Sequence, residues 1–190
     1  MNYFNLIKLD AIPSTNDFIK NMRKSKKVKD MDLVWAINQT SGRGQHENKW
    51  FSEPEKSLTI SIYKNLKDSF IFSPFLISVV TSLSIVESLE NLKIPNVFIK
   101  WPNDILSCNK KIGGVLIENF FIRGKLFDSV IGIGLNINQD SFRNLNDASS
   151  LKIETGKYWK IKDILENLII YLNKGLKKLE ITDKNNLIDL

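Results

Sequence analysis

A chain of 190 residues, 43% apolar and 25% charged, has the make-up of a soluble globular protein and enough length for one domain with a real core. One cysteine, Cys108, and one histidine, His46, exclude a disulfide framework and a CxxC zinc site, and argue against a histidine-based metal centre or a Ser–His–Asp triad. The net charge of +6 invites a nucleic-acid reading, but the lysines are spread along the chain. The clusters from Arg23 to Lys29 and from Lys174 to Lys178 fall on a helix end and a terminal helix, as solvated basic faces do. With no signal peptide and no long apolar run, the cytoplasm is the expected compartment and no membrane partner is expected.

In chain order, Leu6 to Ile12 alternates loosely and predicts a strand, broken at Pro13. Ser14 or Thr15 caps a helix that begins near Asp17 and fades in the basic run before Asp30. Leu33 to Ile37 is a short apolar strand ending at Asn38-Gln39, and a glycine-bearing loop follows from Ser41 to Trp50. Ser57 to Tyr63 alternates Leu58, Ile60 and Ile62 with Ser57, Thr59 and Ser61, the pattern of a half-buried strand. Pro74 suits the first turn of a long apolar helix through Leu92. Val97 to Trp101 is a strand that Pro102 stops. Asn109-Lys110 reads as a turn between Ile105-Leu106 and Ile112 to Glu118, and Arg123-Gly124-Lys125 as a turn before a strand from Leu126 to Ile137. Tyr158 to Leu179 is an amphipathic helix with Ile161, Ile164, Leu165, Leu168, Ile169, Leu172 and Leu176 on one side. Consecutive hairpins between flanking helices predict an α+β domain with a mixed or antiparallel sheet.

Chemistry concentrates in four segments: Ser41 to Trp50, Lys100 to Asp104, Lys110 to Glu118 and Gly132 to Asn138. Each joins glycine or proline to a cation, an amide or a tryptophan. Together they point to a small anionic ligand with a flat ring, since glycine admits close approach, Arg and Lys neutralise carboxylate or phosphate, and an indole stacks. Ser41 to Trp50 reads as a plain surface loop or as a flexible lid, in which Gly42 and Gly44 wrap an anion, Arg43 binds it and Trp50 covers a ring. Gly132-x-Gly134 lacks the third glycine and the following helix of a dinucleotide fingerprint, so these glycines are expected to open the sheet face to a ligand, to which Asn136 presents an amide. Lys111 is either solvated or, beside Gly113-Gly114, aimed at developing negative charge. Asn103 and Asp104 suit phosphate or a phosphate-bound Mg²⁺. His46 receives no role, and Cys108 is read as a packing residue.

The ordered signatures Ser14-Thr15-Asn16, Gly42-Arg43-Gly44 to Trp50, Lys100-Trp101-Pro102-Asn103-Asp104, Lys111 to Glu118 and Gly132 to Asn138 resemble those of biotin–protein ligases, from about Leu6 to Leu179. The resemblance implies a mixed sheet flanked by helices, related to class II aminoacyl-tRNA synthetases. It implies ATP-dependent formation of biotinyl-5′-AMP, with Mg²⁺, and transfer of biotin to a lysine of a biotin carboxyl carrier domain of acetyl-CoA carboxylase. By the same match Ser14, Thr15 and Asn16 line the biotin pocket with Gln39 at its mouth. Arg43, Gly44 and Gln45 hold the biotin carboxylate and adenylate phosphate, Trp50 stacks near adenine, and Lys111 contacts the carboxylate and α-phosphate as the catalytic cation with Arg43. Gly113, Gly114 and Asn136 shape the floor, while Asn103 and Asp104 serve phosphate and metal. Gln45, His46, Glu47 and Asn48 stand where many members carry extra arginines, which lowers the loop's charge. Residues 1–180 are expected to form the catalytic domain and 181–190 a tail, without the winged helix-turn-helix or the small C-terminal β-barrel of longer members. No specific DNA partner is therefore expected, and pairing of two copies through a sheet edge, as in some members, stays open. The rival readings are a lipoate or octanoyl transferase of the same superfamily, a biotin-binding relic that no longer transfers, and a basic nucleic-acid-binding module.

Overall fold

In a computed structural model that describes residues 4–46, 48–66, 73–142 and 145–181, without the side chains of 180 and 181, the strands and helices follow the predicted order closely. Strand β1 (Asn5–Ile12) leads into helix α1 (Thr15–Lys24), where Ser14 is the N-cap and accepts from Asp17 N at 3.4 Å. The chain returns through β2 (Asp32–Gln39), parallel to β1. The predicted loop contains a miniature hairpin, β3 (Gly42–Arg43) against β4 (Lys49–Trp50). Then come β5 (Ser57–Asn65), α2 (Pro74–Asn91), β6 (Val97–Lys100), β7 (Asp104–Ser107), β8 (Lys110–Ile122) and β9 (Lys125–Asn136). Helices α3 (Leu151–Thr155) and α4 (Ile161–Ile181) complete the series.

A seven-stranded sheet runs in the order β1-β2-β5-β9-β8-β7-β6, antiparallel except for β1 and β2. On one face Leu33, Leu58, Ile60, Ile62, Ile131, Ile133 and Leu135 pack with Ile77, Ile85 and Leu89 of α2 and Ile164, Leu168, Leu172 and Leu176 of α4. The α4 stripe read from the sequence is therefore core. The opposite face carries a smaller apolar cluster in which Ile19 of α1 meets Val34, Tyr63 and Val130. The rest of that face is open to the site.

Three local readings are corrected. β5 is not half-buried: every residue from Ser57 to Lys64 is buried, because the strand is central and both faces are covered. Its hydroxyls are satisfied inside, with Thr59 Oγ1 donating to Ala36 O at 2.8 Å. The turn between β7 and β8 is centred on Cys108 and Asn109, at φ 47° and 65°, one residue earlier than expected, since a two-residue hairpin loop needs positive φ at both positions to match strand twist. Helix α3 was not anticipated, although Ser150 caps it and Gly156 ends it at φ 67°.

Candidate active site

A cavity of about 300 Å³ opens on the sheet face opposite the two-helix core. Gly132 and Gly134 of β9 and Gly114 and Leu116 of β8 form its floor, with Ser14, Thr15 and Asn16 at the start of α1 on one side. The β3–β4 hairpin, the entry to β7 and Lys111 complete the wall.

One end is a closed hydrogen-bonding cluster. Gln39 Oε1 accepts from Thr15 N at 2.7 Å and from Thr15 Oγ1 at 3.0 Å. Ser61 Oγ lies 2.7 Å from Thr15 Oγ1 and 2.5 Å from Asn16 Oδ1, and Asn16 Nδ2 donates to Glu118 Oε2 at 2.9 Å. Ser14, Thr15, Asn16 and Ser61 are all buried, which fixes their donors and acceptors in place. Gly132 is required by this packing: a Cβ there would stand 2.4 Å from Asn16 Oδ1.

The other end holds an ion pair. Lys111 Nζ lies 2.6 Å from Asp104 Oδ1, and its chain passes over Gly114, with Cε 3.7 Å from where a Cβ would stand. Asn103 is used to pin the β7 entry to β8: its Nδ2 donates to Val115 O at 3.2 Å and its carbonyl accepts from Val115 N at 2.9 Å. Trp50 lies across the floor with its ring where a Cβ on Gly134 would come within 2.5 Å, and its Nε1 is buried without a protein partner. The hairpin is closed by Gly44 N donating to Asn48 O at 2.7 Å, with His46 at φ 49° in the connection. Glu47 lies outside the described residues.

Arg43 reaches across to α1. Its Nη1 donates to Asp17 Oδ1 at 2.7 Å and to Glu118 Oε1 at 3.3 Å, and Lys20 Nζ lies 2.7 Å from each carboxylate. Partial burial opposes the Asp17 charge, but the bonds from Lys20 and Arg43 outweigh it and hold the carboxyl below its ordinary value. Partial burial likewise opposes the Arg43 charge, and Glu118 and Asp17 overcome it and raise the guanidinium pKa.

Among the expected site residues, Ser14, Thr15, Asn16, Gln39, Arg43, Gly44, Gln45, Trp50, Asn103, Asp104, Lys111 and Gly114 meet at this cavity. Gly42, Gly113 and Asn136 do not line it. Gly42 lets the hairpin strands approach, because a Cβ there would meet Trp50 O at 2.5 Å. Gly113 faces the core, where a Cβ would meet Leu135 Cδ2 at 2.5 Å. Asn136 is buried, and its Nδ2 donates to Ser149 O at 3.0 Å. Sequence reasoning missed Asp17 and Ser61. Ser61 was legible as a polar residue on a strand between apolar ones, but nothing local distinguished it from a solvent-facing serine.

Among the described residues no group of three or more His, Cys, Asp or Glu side chains is arranged to hold a metal, and none of the helices is long and apolar enough to cross a membrane. Asp104 is a lone carboxylate already paired with Lys111. Such a donor set fits Mg²⁺ that keeps its waters and phosphate oxygens, and does not fit a cage of protein ligands.

Fold and site together define an α+β domain with a cavity that has a hydrogen-bonding cluster at one end and the Lys111–Asp104 ion pair at the other. The family model described as "Biotin/lipoate A/B protein ligase family" matches residues 9–136, and the chain belongs to that family. It is 32% identical over 133 residues to the bifunctional ligase/repressor BirA of Salmonella typhimurium, covering 70% of this chain and 41% of that protein. It is 30% identical over 129 residues to the biotin–[acetyl-CoA-carboxylase] ligase of Mycobacterium tuberculosis, covering 64% and 46%. The structure of the biotin protein ligase from Aquifex aeolicus in complex with biotin and ATP superposes with a TM-score of 0.79 at 32% identity, over 93% of this chain and 72% of that one. The fold is thus the helix-flanked mixed sheet of the biotin protein ligases, of the class II aminoacyl-tRNA synthetase type. The chain spans about two fifths of the length of the first of these curated relatives, 41%.

Proposed function

We propose that the protein is a biotin–protein ligase that activates biotin with ATP and transfers it to a lysine of a biotin carboxyl carrier domain. The observation that carries this is the polarity of the cavity: a hydrogen-bonded cluster of buried Thr15, Asn16 and Ser61 with half-buried Gln39 at one end, and the Lys111 ammonium at the other. The first end suits the ureido ring of biotin, which both donates and accepts. The second suits the place where carboxylate and α-phosphate meet. A biotin carboxylate oxygen attacks the α-phosphorus, the bond to the bridging oxygen breaks, and pyrophosphate leaves. The carrier's neutral lysine amine then attacks the acyl carbon of biotinyl-5′-AMP, AMP leaves with the bonding pair, and the amine proton passes to water. Lys111 stabilises charge in both steps. Arg43, bound to Asp17 and Glu118, would exchange these carboxylates for the phosphate–carboxylate junction as the hairpin settles on ligand. The buried Trp50 Nε1 offers a donor to the same ligand. Mg²⁺ would enter with ATP and meet Asp104, screening phosphate charge.

The lipoyl reading shares the family but draws no support from the relatives above, two of which are named for biotin. The nucleic-acid reading loses ground because Lys20, Arg23, Arg43, Lys64 and Lys111 are engaged with carboxylates. Residues 1–180 act as the catalytic unit in this proposal, working in the cytoplasm. The outer strands β1 and β6 are the edges through which two copies would pair. The test is incubation with biotin, Mg·ATP and a carrier domain, followed by intact mass. A biotin-sized increase on one carrier lysine is expected, and pyrophosphate release without any transfer would leave only a relic.

A further inference from the structure

Lys111 points into the cavity because β8 is irregular beside it. In the β7–β8 ladder Leu106 pairs with Lys111 and Ile105 with Gly113, so Ile112 is an extra residue, and it is fully buried in the core. Without that bulge Lys111 would share the face of Gly113 and Val115, the core side. With it, the chain is turned over Gly114 and reaches Asp104. The bulge lies where β9 has run out: the β8–β9 ladder ends at the pair Gly113–Leu135. The backbone groups of Lys111 on that side need another partner. They find it in residues 147–149. Lys111 N donates to Asp147 O at 2.7 Å and Ser149 N donates to Lys111 O at 2.8 Å, a short parallel bridge centred on Ala148.

One side chain splices this segment to the sheet. Asn136, the last residue of β9 and 5% exposed, donates through Nδ2 to Ser149 O at 3.0 Å and accepts through Oδ1 from Gln139 Nε2 at 3.3 Å. Gln139 Nε2 also donates to Ser57 Oγ at 2.7 Å, and Ser150 Oγ donates to Gln139 O at 2.7 Å. The 147–149 segment therefore stands in for the missing stretch of β9, and the Asn136 amide holds it in register. We propose that Asn136 is a positioning residue for Lys111, acting through the backbone of residues 147–149 and not through the ligand. The assignment of Lys111 as the catalytic cation rests on the ligase reading; the brace itself does not.

The experiment compares wild type, Asn136→Ala and the isosteric Asn136→Asp, which keeps the shape but loses the donor. Steady-state pyrophosphate release with biotin, Mg·ATP and a carrier domain should show kcat lowered about 10²-fold, the size expected when a catalytic group is misplaced by about 1 Å, with KM for biotin nearly unchanged. In a Lys111→Ala background Asn136→Ala should cost almost nothing more, because its effect passes through the missing ammonium. A raised KM with normal kcat, or losses that multiply, would show that Asn136 acts at the ligand and would overturn the proposal. Amide exchange provides the check that needs no activity. The Lys111 and Ser149 amides should be protected in wild type and lose protection in either variant, while those of Leu116 and Ile131 keep theirs. A wild-type Lys111 amide that exchanges like an open one refutes the brace, even if neither variant folds. A wild type that releases no pyrophosphate with biotin refutes the ligase reading and leaves the exchange result to decide the brace.

Discussion

Replacing Gly132 by alanine probes the floor of the cavity where tolerance is least. The added Cβ would stand 2.4 Å from Asn16 Oδ1, 3.0 Å from Cγ and 3.2 Å from Nδ2, so the amide must move by about 1 Å to restore an ordinary contact of about 3.5 Å. Asn16 cannot move freely, since it is 3% exposed, its Oδ1 meets Ser61 Oγ at 2.5 Å and its Nδ2 donates to Glu118 at 2.9 Å. Overpacking costs about 1–3 kcal/mol, and loss of a bond to a charged partner about 1.5–3 kcal/mol more. The sum, about 2.5–6 kcal/mol, corresponds to a fall in thermal midpoint of roughly 5–25 °C for a chain of this size. Calorimetric biotin affinity should fall with it, because the displaced amide belongs to the proposed ureido-binding cluster. The double variant Asn16→Ala/Gly132→Ala separates the two effects: removing the amide makes room for the methyl, so stability should partly return while biotin binding should not. A Gly132→Ala protein with an unchanged midpoint and normal biotin binding would show that the floor is not packed against Asn16 and would remove the basis for placing biotin there.

Lys111→Ala should lower the rate of biotinyl-adenylate formation about 10²–10³-fold, while a half-exposed ion pair with Asp104 leaves the thermal midpoint within a few degrees; a normal rate in a pyrophosphate-release assay would contradict its role. Arg43→Ala should shorten retention of the adenylate more than it weakens biotin binding, and should raise the carboxyl pKa of Asp17, which keeps only Lys20; NMR titration and filter retention would read both. Because the folded Asp17 pKa is depressed, its contribution to stability is complete above the unfolded value and disappears as pH falls through the folded one, so Asp17→Asn should flatten that part of an acid unfolding curve. Tyr63, buried and bonded to Asp128, has its phenol pushed up to about 12, so its contribution holds below pH 10 and is lost as pH rises through 12. Tyr63→Phe should remove that dependence from thermal midpoints measured between pH 9 and 12.

Much of the fold was legible because it rests on local rules. Ser14 caps α1 as its hydroxyl dictates, Pro74 stands in the first turn of α2, and the stripe from Ile161 to Leu176 packs on the core along α4, with Ile161 and Ile169 only partly buried. The alternation of Ser57 to Tyr63 correctly announced a strand but misjudged its burial, since nothing in those residues shows that two other elements cover both faces. The site was legible in outline for a different reason: glycines beside cations mark places where backbone must come close to something. What that something is depends on chain folding. Gly113 and Gly114 face opposite sides of β8 as strand neighbours do, and the bulge at Ile112 is what brings Lys111 over Gly114.

Residue types and short-range order by themselves pointed to an α+β domain with a mixed or antiparallel sheet and to glycine-framed segments suited to an anionic ligand, and the ordered motifs pointed to its family. Only the tertiary structure decided which residues line the cavity. Arg43 meets Asp17 and Glu118 because α1 and β8 converge from 26 and 75 residues away. Asn136 turns from the cavity to Ser149 because β9 ends one residue short of the backbone that Lys111 must satisfy. A sequence lists donors and acceptors, but partners are assigned by packing, where each buried polar group must be paired by whatever the fold brings within 3 Å or so.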